Sequence, residues 1–241
     1  CAGLQILEVS VRIWALTPQS KVSSYMVPIT IIDNFFDNPD QVRNIALSSD
    51  YERQDDSTFP GYRTKMIAEI DKTIYRTVME KVLGLFWDLT RDELEVKFKT
   101  HFQFIPRQYG NGGWAHFDKS TTFAGVVYMT PDAPKDCGTS ICRPVTDTPI
   151  YNFDIRNNFY QGKDTNYNDY CAAKDSHNSQ FDHTLSVDNV FNRMVLYDGN
   201  DGHRENGYFG TTLYDSRMTV VFFVELKLGP NVKFPVNRMF L

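Results

Sequence analysis

At 241 residues, with 41% hydrophobic and 14% aromatic residues, the chain carries enough apolar material for one sandwich or barrel core and is far from a disordered composition. Its formal charge is -5 and its 25 Lys and Arg are scattered without a basic run, which argues against a polynucleotide partner. No stretch approaches the roughly 18 apolar residues of a membrane helix, and none reads as a secretory leader.

The four cysteines, Cys1, Cys137, Cys142 and Cys171, do not form paired C-x-x-C units, so a zinc ribbon or dense disulfide framework is not expected. A reducing, cytoplasmic setting fits, with local pairing of Cys137 and Cys142 left open.

Residues 1–26 read as a lead-in, with a short β-like run from Leu7 to Trp14. Residues 27–241 read as a single domain. Val27 to Asp33 alternates as a strand. Asp37-Asn38-Pro39-Asp40 then announces a helix, through a capping side chain and a proline in the first turn, with Val42, Ile45 and Ala46 on its buried face. A turn-rich passage through Phe59-Pro60-Gly61-Tyr62-Arg63 precedes a second helix marked by Ile74, Val78, Val82 and Leu83.

From Val96 the period changes to two, with Phe98, Thr100, Phe102 and Phe104 opposite Lys97, Lys99, His101 and Gln103, as in a strand with one wet face. Thr122 to Met129, Arg193 to Tyr197 and Met218 to Leu226 read as further strands. A polar insert at about 136–186, rich in Asn, Asp and Tyr over Asp147 to Asp182, is long enough for a lid or substrate wall. The expected class is mainly β with supporting helices, a jelly roll or double-stranded β-helix of cupin-like kind.

The sharpest chemical feature is Trp114-Ala115-His116-Phe117-Asp118. His and Asp two apart on an extended segment project from one face and can grip an ion together, and two imidazoles plus a carboxylate suit an oxygen-activating iron site. His203, after an apolar strand and between Gly199, Gly202 and the last strand, is the candidate third ligand. His177 and His183 in the insert are alternatives, and His101 reads as solvent-facing or carboxylate-bound. Arg217 opens the final apolar strand with Thr219 on the same face, a fork and a hydroxyl suited to a carboxylate. The bland reading pairs it with Asp215 or Glu225.

Taken in order, H-x-D, a long interval, His after a strand and R-x-T on the next strand resemble the 2-oxoglutarate and iron(II)-dependent oxygenase superfamily, over roughly Val27 to Leu226. Ile32-Asp33-Asn34-Phe35-Phe36 is similar to the opening of its prolyl-hydroxylase-like and small phage or bacterial branches, and Gly138-Thr139 to the pair opening a later barrel strand. Tyr109 and Gly112 match an aromatic and a glycine that precede the metal strand.

The resemblance implies a dioxygenase, with His116, Asp118 and His203 as catalytic iron ligands. Arg217, Thr219, Tyr109 and Tyr128 would hold the 2-oxoglutarate cosubstrate. The partners implied are molecular oxygen and a small-molecule, amino-acid-like or peptide substrate, hydroxylated with release of succinate and carbon dioxide. The short interval from Tyr109 to His116 speaks against peptidyl proline, and Asp118 against halogenation. The alternatives are a non-catalytic jelly-roll binding module and a cupin-like metal enzyme that does not use 2-oxoglutarate.

Overall fold

The computed structural model describes residues 27–53, 57–118, 120–146, 153–163 and 165–235; the run from Leu7 to Trp14 lies outside them. In chain order the elements are β1 (Thr30–Ile32), α1 (Pro39–Leu47), β2 (Tyr62–Arg63), α2 (Ile67–Ile70), α3 (Lys72–Gly84), β3 (Leu94–Ile105), a 3-10 turn (Arg107–Tyr109), β4 (Phe123–Tyr128), β5 (Thr139–Pro144), α4 (Asp154–Tyr160), α5 (Tyr167–Asn178), β6 (Phe181–Val187), β7 (Met194–Asp198), β8 (Gly202–Glu205) and β9 (Arg217–Leu228).

Nine strands form two sheets among these residues: a six-stranded one in the order β1-β7-β4-β9-β3-β2 and a three-stranded one in the order β6-β5-β8. Every pairing is antiparallel. A strand sequence that alternates between two apolar faces must be covered on both. On β9 one face carries Met218, Val220, Phe222 and Val224, which join Phe98 and Phe102 of β3 in a core closed by Val42 and Ala46 of α1 and Val78 and Val82 of α3. Full burial of a side chain such as Phe222 is worth about 1.5–3 kcal/mol, so the two helices are fixed on the outer face of the large sheet.

The opposite face points between the sheets. There Ala124, Val126 and Tyr128 of β4, Val195 and Tyr197 of β7 and Val221 of β9 meet Ile141 of β5 and Val187 of β6. This is the jelly-roll, double-stranded β-helix arrangement, with supporting helices on one side.

The helix signals at Asn38 and Asp71 act as caps. Asn38 Oδ1 accepts from the Gln41 amide at 3.3 Å, and Asp71 Oδ1 accepts from Thr73 and Ile74 at 2.8 and 2.9 Å.

Two expectations are revised. Lys97 and Lys99 of β3 are exposed, but Gln103 is buried and His101 is half-buried, with its Nδ1 on the Thr64 carbonyl at 2.9 Å. The polar face of β3 is therefore wet at one end and lines the inside of the barrel at the other.

The stretch 136–186 also begins and ends as barrel, in β5 and β6, and the excursion between them folds as α4 and α5. Its buried side chains are Tyr160, Tyr170, Lys174 and His177, not aliphatic ones, which is why no helical hydrophobic stripe announces it. Cys137, Cys142 and Cys171 are free thiols. No described helix is long and apolar enough to cross a membrane.

Candidate metal centre

The segment carrying His116 runs beside β8. Gly113 donates to the Glu205 carbonyl at 2.9 Å, while His116 and His203 exchange amide-to-carbonyl bonds of 3.0 and 2.9 Å. On its other side the same segment is met by the end of α5. Asn178 accepts from the Ala115 amide at 2.9 Å and donates to the Gly113 carbonyl at 3.0 Å, and His177 Nε2 donates to the Ala115 carbonyl at 2.7 Å. Side chains of α5 thus take the place of a neighbouring strand, and the polar insert braces the segment that carries His116.

Two glycines permit the close approach of the loop from β7 to β8. A Cβ at Gly199 would lie 2.2 Å from the Thr121 carbonyl oxygen, and one at Gly202 would lie 2.6 Å from that of Cys142.

His116, Asp118 and His203 converge, each offering one ligand atom within 4.8 Å of the others. The Nε2 atoms of His116 and His203 stand 3.9 and 3.5 Å from the two carboxylate oxygens of Asp118. Each Nδ1 faces a main-chain carbonyl, that of Trp114 at 2.8 Å and that of Asp201 at 3.0 Å. A carbonyl only accepts, so both Nδ1 atoms carry the proton and both Nε2 lone pairs are directed at the gap before Asp118. Burial, reinforced by the neighbouring His116, pushes His203 down to about 4, which keeps this imidazole neutral as a metal requires. Asp118 Oδ2 is buried without a hydrogen-bond partner among the described residues. Two imidazole nitrogens and a carboxylate with one unsatisfied oxygen fit a divalent ion.

Arg217 and Thr219 stand on the inner face of β9, both buried. Arg217 Nε donates to the Cys137 carbonyl at 3.3 Å, its guanidinium lies 5.5 Å from the centre of the Tyr128 ring, and Tyr128 donates to Thr139 Oγ1 at 2.7 Å. Arg217 Nη2 and Thr219 Oγ1 are buried without hydrogen-bond partners among the described residues. Asp215 instead accepts from Thr211 and Thr212, and Glu225 is paired with Lys97 and Lys99. The surface pairing of Arg217 is therefore not realised. Two orphaned polar groups side by side have the composition of a carboxylate cradle.

Tyr109 stands in an aromatic cluster with Trp114, Tyr160, Tyr170 and Tyr208, in edge contact with Tyr62. Of the remaining histidines, His183 is exposed on β6, and His177 and His101 face main-chain carbonyls.

Two charged residues near the site escaped sequence reading. Glu205 shares a face of β8 with His203, two residues away, and accepts from the Tyr208 hydroxyl at 3.3 Å. Burial opposes its ionisation, yet Arg217 and His116 hold its carboxyl below the ordinary value. Arg63 stands on the inner face beside Gln103, with Nε donating to Gln103 Oε1 at 3.0 Å. Burial lowers it to about 10, against the opposing pull of Asp118, Glu205 and Tyr197. The i, i+2 rule from His203 would have found Glu205, whereas Arg63 sits in a turn-rich passage without periodicity.

The fold is that of the 2-oxoglutarate and iron(II)-dependent oxygenases. A prolyl hydroxylase from Trichoplax adhaerens, solved with a hypoxia inducible factor peptide fragment, is similar over 82% of this chain and 83% of its own, with a TM-score of 0.51 at 14% identity. HygX from Streptomyces hygroscopicus, solved with nickel, 2-oxoglutarate and hygromycin B, is similar over 83% of each chain, with a TM-score of 0.50 at 13% identity. No curated protein matches the chain in sequence. By sequence the chain belongs to the family of unknown function DUF6445, whose profile matches residues 17–206.

Proposed function

We propose that this protein is a 2-oxoglutarate- and iron(II)-dependent dioxygenase that hydroxylates a C–H bond of a small-molecule or amino-acid-like substrate. The observation that carries the reading is the pair of histidines whose Nδ1 protons are held by carbonyls, leaving both Nε2 lone pairs aimed at Asp118. His116, Asp118 and His203 would hold the iron. Arg217 and Thr219 would take the distal carboxylate of 2-oxoglutarate, with Tyr128 packed beside the guanidinium. Tyr109 would act only through the packing of the wall on which Trp114 rests.

Iron and 2-oxoglutarate, when bound, supply oxygen activation, with the cosubstrate decarboxylated to succinate and carbon dioxide as the substrate is oxidised. The chain's own residues set the geometry. The backbone bridge between His116 and His203 fixes the spacing of the imidazoles, and the Trp114 and Asp201 carbonyls fix their tautomers. The apolar lining from Val126, Val195 and Val221 excludes water around the site. Residues 27–241 would form one oxygenase domain preceded by a lead-in, and the free thiols suit a cytoplasmic setting.

The test is an anaerobic visible spectrum of the protein with iron(II), before and after 2-oxoglutarate. The expected outcome is a metal-to-ligand charge-transfer band that requires 2-oxoglutarate and weakens in Arg217→Ala. Folded, iron-loaded protein without that band would exclude the reading and leave a binding module or another metal enzyme.

A further inference from the structure

We propose that Arg63 is the docking point for a carboxylate of the substrate, beside the metal triad and separate from the cosubstrate cradle. The inference rests on the oxygenase reading and adds to it the class of molecule accepted.

Strand β2 places Arg63 opposite Gln103 of β3, which is itself opposite Thr219 of β9. All three residues stand on the barrel's inner face. The Arg63 side chain does not stay at the level of Thr219. Its guanidinium lies 3.7 Å from the centre of the Phe59 ring and 5.3 Å from that of Phe223, four residues further along β9. Phe223 is opposite Ala124, which is opposite Tyr197, and the Tyr197 ring lies 4.1 Å from that of His203. Arg63 therefore reaches the level of the triad, while Arg217 and Thr219 remain at the start of β9.

The guanidinium is aimed. Nε is committed to Gln103 Oε1, and Gln103 is buried with its Nε2 donating to the Pro60 carbonyl at 2.8 Å, so the amide cannot turn its nitrogen towards the arginine. Phe59 supports the plane of the fork. Among the described residues, no carboxylate lies within ion-pair distance of Arg63 and no acceptor is bonded to its terminal nitrogens. The residue is half-buried, and its terminal nitrogens are left for a ligand.

The nearby carboxylates have closer contacts of their own: Glu205 accepts from the Tyr208 hydroxyl, Glu225 pairs with Lys97 and Lys99, and Asp118 faces the two histidines. A held guanidinium with no ion-pair partner among the described residues and two free terminal NH2 groups is complementary to a carboxylate in bidentate geometry, and an uncharged isostere would leave it unsatisfied.

The experiment uses zinc(II)-loaded protein saturated with 2-oxoglutarate. Its probes are hexanoate and phenylacetate against hexanamide and phenylacetamide, read by saturation-transfer NMR in wild type, Arg63→Gln, Arg63→Lys and Arg217→Gln, with thermal unfolding to confirm folding. The expected result is millimolar binding of the carboxylates but not the amides, weakened about tenfold or more by Arg63→Gln, less by Arg63→Lys, and little by Arg217→Gln. In parallel, iron(II) and 2-oxoglutarate should give the charge-transfer band with nearly unchanged affinity in Arg63→Gln.

A loss of 2-oxoglutarate affinity in Arg63→Gln equal to that in Arg217→Gln would make Arg63 part of the cosubstrate site and overturn the proposal. Equal binding of acids and amides would overturn it as well, as would the absence of any carboxylate binding to wild type. If no charge-transfer band forms in wild type, the oxygenase reading fails. Arg63-dependent carboxylate binding to the zinc form without 2-oxoglutarate would then still uphold the anion site.

Discussion

His116 and His203 are bound to each other through their main chains by two hydrogen bonds of 3.0 and 2.9 Å, so the separation of their imidazoles is set by an isolated β-bridge before any ligand arrives. The third donor, Asp118, follows this bridge by two residues and has an oxygen buried without a hydrogen-bond partner among the described residues. Asp118→Asn keeps the shape and removes the charge. We expect divalent-metal affinity to fall by at least about tenfold, measured by competition with a chromogenic chelator, while the metal-free protein melts within a few degrees of wild type. Unchanged affinity would remove Asp118 from the metal site.

The brace from α5 gives a separate expectation. Asn178→Ala strips a partner from the Ala115 amide and another from the Gly113 carbonyl. Each unsatisfied buried group costs about 1–3 kcal/mol, so the urea midpoint should drop by an amount of that order and metal affinity should weaken with it. A loss of stability without any change in metal binding would mean that α5 supports the fold but not the site.

For the cosubstrate cradle, Arg217→Gln should raise the 2-oxoglutarate dissociation constant by the equivalent of about 2–5 kcal/mol, the usual result of removing one partner of a buried charge pair. Thr219→Val should cost about 1 kcal/mol. Titration of the charge-transfer band reads both. A larger effect at Thr219 than at Arg217 would invert the assignment.

Gly199→Ala tests the close approach of the two loops. Its Cβ would meet the Thr121 carbonyl oxygen at 2.2 Å and the Asp118 carbonyl oxygen at 2.9 Å. Relief requires backbone movement, at about 1–3 kcal/mol. The variant should lose thermal stability and bind metal more weakly than a control substitution at exposed Gly84, where an added Cβ meets nothing within 4 Å.

One pH effect can be assigned a sign. Asp33, at the end of β1, accepts two bonds from Arg193, at 2.5 and 2.9 Å, and the hydrogen bond from Arg193 holds its carboxyl below the ordinary value. A carboxyl with a lowered folded pKa contributes stability that is present above its unfolded pKa of about 3.9 and is lost as pH falls through the folded value. The carboxylate is largely exposed, so the contribution should be about 0.5 kcal/mol. Arg193→Ala should therefore lower stability at pH 7 and converge with wild type in acid, as measured by urea denaturation at the two pH values.

The sequence announces what is apolar and periodic far better than what is polar and enclosed. β9 and β4 are legible because their residues alternate or run as unbroken hydrophobics, and α1 and α3 because their caps and stripes agree. Gln103 and Lys99 look alike in the alternation of β3, yet one is buried inside the barrel and the other is exposed. A polar barrel lining and a solvated face have the same pattern, and only the closing of the second sheet separates them. The helices α4 and α5 stayed hidden because their buried side chains are tyrosines, a lysine and a histidine. At the candidate metal centre the three residues that converge, His116, Asp118 and His203, were readable from the His-x-Asp spacing and the following His. The role of Asn178, from the far side of the excursion, depends on a fold that brings residues 63 positions apart into contact.

The short strand β2 has an implication for how the protein can diversify. Arg63 belongs to a strand of two residues at the outer margin of the large sheet, preceded by a turn at Gly61, whereas His203 and Arg217 are woven into ladders on β8 and β9 and His116 is bridged to His203. On the proposed function, exchange of the passage from Phe59 to Arg63 would alter what the barrel admits and leave the residues proposed to hold iron and 2-oxoglutarate in place. The proposed selectivity and the proposed chemistry would then lie on separable stretches of chain.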